Sequence, residues 1–211
     1  MVVTRDQIIT WLEETAAVLA ENRAYLTQLD SPIGDADHGI NMDRGFKKVS
    51  EKLPTVADKD IGNILKTTGM TLISSVGGAS GPLYGTFFMR GGMAVDAKEE
   101  LTGEDLATML QAGVDGVVQR GRAKAGDKTM IDAWLPAMKT LHSQLEEGAD
   151  TEEALRAAVA ACEQGMKDTI PLVARKGRAS YLGERSAGHQ DPGATSSYLI
   201  LKALLDTIEA E

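Results

Sequence analysis

Asp30-Ser31-Pro32-Ile33-Gly34-Asp35-Ala36-Asp37-His38-Gly39-Ile40-Asn41 gathers three carboxylates, an imidazole, an amide and two glycines between two stretches of helical periodicity. Upstream, Thr4 and Gln7 have the spacing of a capping box. Ile8, Leu12, Leu19 and Leu26 then predict one long amphipathic helix to Gln28 that delivers Asp30. Downstream, Met42, Phe46, Val49 and Leu53 predict a second helix that begins near Asn41, points its free N–H groups back at the acidic stretch and ends at Pro54. Carboxylates drawn to one point raise one another's pKa, so the arrangement persists most easily around a cation. Oxygen-only ligands indicate magnesium or calcium. A calcium loop needs a bidentate Glu about eleven residues after Asp35, and that position is Phe46, which favours magnesium. An Asp-rich turn whose side chains merely cap backbone N–H groups is the alternative, and the stretch alone leaves both open.

Further out, the helical pattern continues. Asp60 caps a third helix carrying Ile61, Ile64, Leu65, Thr68 and Leu72. Ser74-Ser75-Val76-Gly77-Gly78-Ala79-Ser80-Gly81-Pro82 opens a fourth, with Pro82 in its first turn. In form this is a phosphate cradle, although it lacks the Gly-Lys-Ser/Thr ending of a P-loop and no strand precedes it; the glycines suit a tight turn equally well. Thr102 to Arg120 predicts a fifth helix closed by Gly121; Met130, Trp134, Met138 and Leu141 mark a sixth, and Leu155 to Met166 a seventh. Arg175 to Gly193 is too long and glycine-rich for an ordinary connection and carries the cations Arg175, Lys176, Arg178 and Arg185. Ala194 to Glu209 is the last helix. With about eight helices, no strand alternation and no linker, the expectation is an all-α single domain over residues 1–211, an antiparallel bundle or barrel. In such an assembly the loops at Asp30, Gly77, Gly121 and Gly188 follow odd-numbered helices and fall at the same end, where acidic, glycine-rich and basic loops would form one metal-plus-phosphate pocket.

The chain has 211 residues, with 22 Lys and Arg against 31 Asp and Glu, a net charge of −9. That balance argues against nucleic acid or an anionic membrane as the main partner. The single cysteine, Cys162, excludes an internal disulfide, suits a reducing compartment and sits among Ala158, Val159 and Met166 as a core thiol. The N-terminus has no secretory pattern, and no run approaches a membrane span. A soluble, cytoplasmic protein is expected.

Gly34-Asp35-Ala36-Asp37-His38-Gly39 with Asn41, Ser75 to Pro82, Gly126-Asp127-Lys128-Thr129-Met130, and Arg175 to Ser196 together resemble the nucleotide-binding L subunit of dihydroxyacetone kinases, over nearly the whole chain. The resemblance implies an eight-helix antiparallel barrel with the nucleotide, ADP or ATP, bound at one end. It implies Asp30, Asp35 and Asp37 as magnesium ligands, and His38, Gly39, Ile40, Asn41, Ala79 and Ser80 beside the phosphates. Gly121, Met130, Arg178, Asp191, Pro192 and Gly193 would complete the pocket, with Met130 near the adenine and Arg178 as the cation that assists transfer. Met130 read on its own spacing is a core residue. The acceptor, dihydroxyacetone, is held in this family by a separate K subunit. The family divides into enzymes that exchange ADP for ATP and free-standing L subunits that keep ADP, rephosphorylated in place by a phosphoprotein of the phosphoenolpyruvate-dependent phosphotransferase system. Arg175 to Ser196 looks most like the second kind, and a homodimer is the expected assembly. Competing readings are an L subunit of an ATP-dependent dihydroxyacetone kinase, a nucleotide-sensing adaptor, and a magnesium-dependent nucleotide phosphohydrolase, for which only His38 and His189 are candidate bases.

Overall fold

Thr4 starts the first helix through a reciprocal box, its hydroxyl accepting from the Gln7 N–H at 3.2 Å while Gln7 Oε1 accepts from the Thr4 N–H at 2.8 Å. In the computed structural model, which describes residues 2–210, this helix does not run unbroken to the acidic loop. It divides into α1 (Arg5–Glu21) and α2 (Arg23–Asp30). Asn22 causes the break: its Nδ2 donates to the Val18 carbonyl at 2.8 Å, competing with the backbone ladder, and its own ψ of 6° leaves the helical range.

The remaining helices are α3 (His38–Lys52), α4 (Ile61–Ser75) capped by Asp60, α5 (Ser80–Ala94), α6 (Gly103–Gly121) capped by Thr102, α7 (Met130–Glu146) capped by Thr129, α8 (Thr151–Asp168) capped by Asp150, and α9 (Pro192–Glu209) capped by Asp191. All but α3 and α5 begin where a short side chain satisfies a first-turn amide. Each such cap contributes about 1 kcal/mol. Pro54 lies in a 3-10 turn, Leu53–Thr55, that ends α3. Gly121 stays helical, and the left-handed capping position falls one residue later, on Arg122 at φ 50°. The long basic segment contains a 3-10 stretch, Arg178–Ser186. A short antiparallel pair that periodicity does not announce, β1 (Val2–Thr4) on β2 (Glu100–Thr102), is too brief to alternate.

Among the described residues there are nine α-helices, of which α1 and α2 share one predicted helix, so the all-α expectation of eight holds. The helices close a ring in chain order, α3 to α9 each packing on the next, with α9 and α3 both returning to α1. Its interior is one apolar core crossed by a run of rings: Phe46 and Trp11 meet Phe88, Phe88 meets Phe87 at 5.2 Å, and Phe87 stacks on Trp134 at 4.8 Å. Close approach of α4 and α5 needs bare glycine, because a Cβ on Gly69 would stand 2.5 Å from the Gly85 carbonyl. Cys162 is buried in this core, and burial pushes its thiol pKa well up, so it is inert. β1 and β2 tie the start of α1 to the start of α6, at the end of the ring opposite the acidic loop.

Candidate functional site

The acidic loop is built on Asp30. Its carbonyl receives the N–H groups of Ile33 (3.1 Å) and Gly34 (2.6 Å), and its Oδ2 accepts from the amides of Asp37 (2.9 Å) and His38 (3.2 Å). One oxygen of the buried carboxylate thus fixes the loop, while Oδ1 lies so close to Gly34 that a Cβ there would stand 1.9 Å away. Ala36 takes a left-handed φ of 58°, turning Asp35 and Asp37 to the same side as Asp30. One oxygen from each of the three carboxylates lies within 4.8 Å of the others. Burial, then the charges of Asp37 and Asp30, raise the Asp35 pKa, with Arg178 opposing them. Such a cluster is strained by its own charge, and the oxygen-only donor set fits a hard divalent ion.

Two helix N-termini face this cluster. Asp37 makes no side-chain cap to α3, and Ala79 has none to offer α5, so apart from the His38 N–H held by Asp30 their first-turn amides have no side-chain partner. Arg44 ties α3 to the end of α4: it donates to the Ser75 carbonyl at 3.0 Å and to Asn41 Oδ1 at 2.7 Å, which leaves the Asn41 amide nitrogen as a donor. Behind them runs a buried polar chain. Ser80 Oγ lies 3.3 Å from His38 Nδ1, His38 Nε2 lies 2.9 Å from Ser196 Oγ, and Ser196 Oγ lies 2.6 Å from the Tyr84 hydroxyl, which donates to the Gly193 carbonyl at 2.9 Å. Burial pushes the His38 imidazole down to about 4 despite the nearby Asp30 and Asp37, so the ring is neutral at pH 7.

The far wall is apolar, made by Leu83, Val117, Ala123, Met130 and Ile131. Facing the acidic loop, Arg178 Nη2 pairs with Asp35 Oδ2 at 2.8 Å, and Ile33 packs with Ala174, Ala179 and Leu182 in a small separate apolar cluster. Asp191 caps α9 by accepting from the Ala194 N–H at 2.7 Å. It borders the cavity, and burial pushes its carboxyl up to about 7.

These walls enclose one cavity of about 430 Å³. Asp30, Asp35, Asp37, His38, Asn41, Ala79, Ser80, Gly121, Met130, Arg178, Asp191, Pro192 and Gly193 all line it. Gly39 and Ile40 do not line it with side chains. A Cβ on Gly39 would stand 2.1 Å from the Arg23 carbonyl, where α3 crosses α2, and the Ile40 side chain is exposed. Tyr84, Arg44, Ser196 and Lys128 were not singled out by sequence reasoning; Tyr84 and Ser196 read as ordinary helix positions, and Lys128 carried a signal only through its place in Gly126 to Met130. Both nitrogens of His38 are engaged and His189 is not a lining residue, so neither stands as a free base for water.

The sequence profile of the DAK2 domain family matches residues 32–206. The chain is 55% identical over 204 residues to the ADP-binding subunit DhaL of the PEP-dependent dihydroxyacetone kinase of Escherichia coli, covering 97% of each. It is 40% identical over 206 residues to the ADP-binding subunit DhaL of the PTS-dependent dihydroxyacetone kinase of Lactococcus lactis, covering 98% of this chain and 99% of the relative. Among solved structures, the dihydroxyacetone kinase from C. freundii in complex with AMP-PNP and Mg2+ matches with a TM-score of 0.72 and 26% identity, over 97% of this chain and 34% of that larger one.

Proposed function

The chain belongs to the DAK2 domain family, and from that membership we propose that it is the nucleotide-binding, phosphoryl-transferring subunit of a dihydroxyacetone kinase. It acts as a single L-type domain with magnesium and ADP or ATP as cofactors. The observation that carries this reading is the order of chemistry along one cavity: a carboxylate cluster, then two uncapped helix N-termini, then an apolar wall. That is the order metal, phosphates, base of a magnesium nucleotide.

Asp30, Asp35 and Asp37 would hold the ion. Magnesium supplies, when bound, neutralisation of the phosphate oxygens. The first-turn amides of α3 and α5, the Ser80 hydroxyl and the Asn41 amide hold the phosphates, while Met130 and its apolar neighbours take the base. Tyr84, through Ser196, keeps the neutral His38 ring aligned behind Ser80. Phosphoryl transfer needs alignment and a stabilised developing charge more than covalent help, and Arg178, beside Asp35, is the cation positioned to supply the second.

The relatives' names, ADP-binding subunits of PEP- and PTS-dependent kinases, support a reading with two partners. One is a K-type subunit presenting dihydroxyacetone; the other is a phosphotransferase-system phosphoprotein that recharges the bound ADP. A homodimer working in the cytoplasm completes the reading. Among the described residues no helix is long and apolar enough to cross a membrane. The test is to denature the purified protein and identify what it releases. Stoichiometric ADP, lost after chelation of magnesium, is expected; a protein that neither releases a nucleotide nor melts higher with added Mg-ADP would sink the proposal.

A further inference from the structure

Lys128 is the only lysine or arginine among the described residues that is fully enclosed, at 1% exposure, and its backbone holds a left-handed φ of 61°. Neither condition is cheap. Burial lowers the ammonium pKa, with Asp191 and Asp132 opposing that shift, and a buried cation persists only where its donors are satisfied. Lys128 Nζ donates to the Thr169 carbonyl at 2.7 Å, to the Ile170 carbonyl at 3.3 Å and to the His189 carbonyl. An ammonium has three N–H groups, so these carbonyls use all of them and none remains for a phosphate. Although Lys128 borders the cavity, it is not built to touch the ligand.

The three carbonyls stand on either side of the long basic segment. Thr169 and Ile170 directly follow α8, at the negative end of its dipole, and His189 precedes α9. Around them the Gly188 N–H donates to the Ile170 carbonyl at 2.7 Å, the Asp191 N–H to Thr169 Oγ1 at 3.0 Å, and the Arg175 N–H to the Asp127 carbonyl at 3.0 Å. Residues 171–188 therefore form a loop tied at its neck. Its tip is held by less: the exposed Arg178–Asp35 pair and the small cluster of Ile33, Ala174, Ala179 and Leu182.

We propose that Lys128 is a positioning residue, which clamps both ends of the 171–188 segment to the start of α7 and so sets where Arg178 stands over the acidic loop. The consequence for ligand release rests on the function proposed above, but the clamp itself does not. Trypsin reads it directly, because Arg175, Lys176, Arg178 and Arg185 lie in the loop. In the nucleotide-free protein, Lys128→Met should speed cleavage within 175–185 by about tenfold with no new cuts in the helices, since only a local opening is made easier. Lys128→Gln removes the charge, keeps a polar side chain and carries the same test if Lys128→Met does not fold. Release of a fluorescent Mg-ADP analogue should also speed up, and Arg178→Ala should add nothing further once Lys128 is replaced, where a merely structural role would leave the two effects additive. Unchanged cleavage, cuts spread along the whole chain, or additive effects would overturn the clamp. Faster loop cleavage in a protein that binds no nucleotide would support the clamp and count against the functional reading instead.

Discussion

Asp30 has two separate jobs. Its Oδ2 receives two backbone amides, and the carboxylate also belongs to the three-Asp cluster, so Asp30→Asn can keep the loop by accepting with its remaining oxygen while losing the charge that would hold an ion. Asp35→Asn and Asp37→Asn remove charge from a repelling cluster and should leave the nucleotide-free protein at least as stable as the parent. All three variants should lose the stabilisation that Mg-ADP provides, about 2.7 kcal/mol at ligand a hundredfold above Kd. Melting curves with and without Mg-ADP check both signs, and full ligand stabilisation in all three would remove the metal assignment. Arg178 is different in kind: 66% of its side chain is exposed, and an exposed ion pair contributes only about 0–1 kcal/mol to folding. Arg178→Ala should therefore leave the melting temperature nearly unchanged and lower turnover by a factor corresponding to about 2–4 kcal/mol. Unchanged turnover in a reconstituted assay would return Arg178 to a solvated surface.

At the scale of elements, the start of α9 joins stability to pH. Asp191 is pushed up from 3.8 to about 7 by burial, so between about pH 4 and 7 the folded chain keeps a proton that the unfolded chain has released. The sign follows: this carboxyl contributes stability that is full below about pH 4 and lost as pH rises through 7. Asp191→Asn still caps α9 and cannot titrate, so the drop in its urea midpoint from pH 5 to pH 8 should be smaller than in the parent. His38 titrates with the opposite sense, losing stability as pH falls from 6.5 toward 4, and the parent-to-variant difference cancels it. An equal drop in both proteins would show that Asp191 is ionised throughout. Most helices here were legible because their caps and apolar spacing agree, as at Thr4, Asp60 and Thr102. The break at Asn22 was not, since a side-chain amide competing for the Val18 carbonyl leaves the apolar pattern intact on both sides. Nor was the polar chain from Tyr84 to Ser80, whose members lie 42 to 158 residues from His38 or on separate helices and have ordinary helical neighbours. The acidic loop was legible because carboxylate density is local in sequence; the clamp at Lys128 was not, because its partners lie 41 to 61 residues away.

For the whole molecule, the ring of helices puts four connections at one end, and that closure bears on how the nucleotide is used. The acidic loop, the first turns of α3 and α5 and the 171–188 segment surround the acidic end of one cavity, and Arg178 reaches across it to Asp35. A ligand that must part these contacts in order to leave should leave slowly, since affinity differences among related sites appear mainly in dissociation. Slow exchange suits a subunit whose nucleotide is a resident cofactor, recharged where it sits, better than one that must take up new ATP at each cycle. The comparison to make uses the protein with a K-type subunit, dihydroxyacetone and magnesium. With phosphoenolpyruvate and the phosphotransferase proteins, dihydroxyacetone phosphate should form over many turnovers; with excess ATP alone, formation should stop near one equivalent and then proceed only at the rate of nucleotide release. A variant with a loosened loop, such as Arg178→Ala, should then exchange ADP faster while transferring phosphate more slowly, separating the two roles of the same residue. Rapid multiple turnover of the parent protein on ATP alone would overturn the resident-cofactor reading and leave an ATP-dependent kinase subunit as the better account of this cavity.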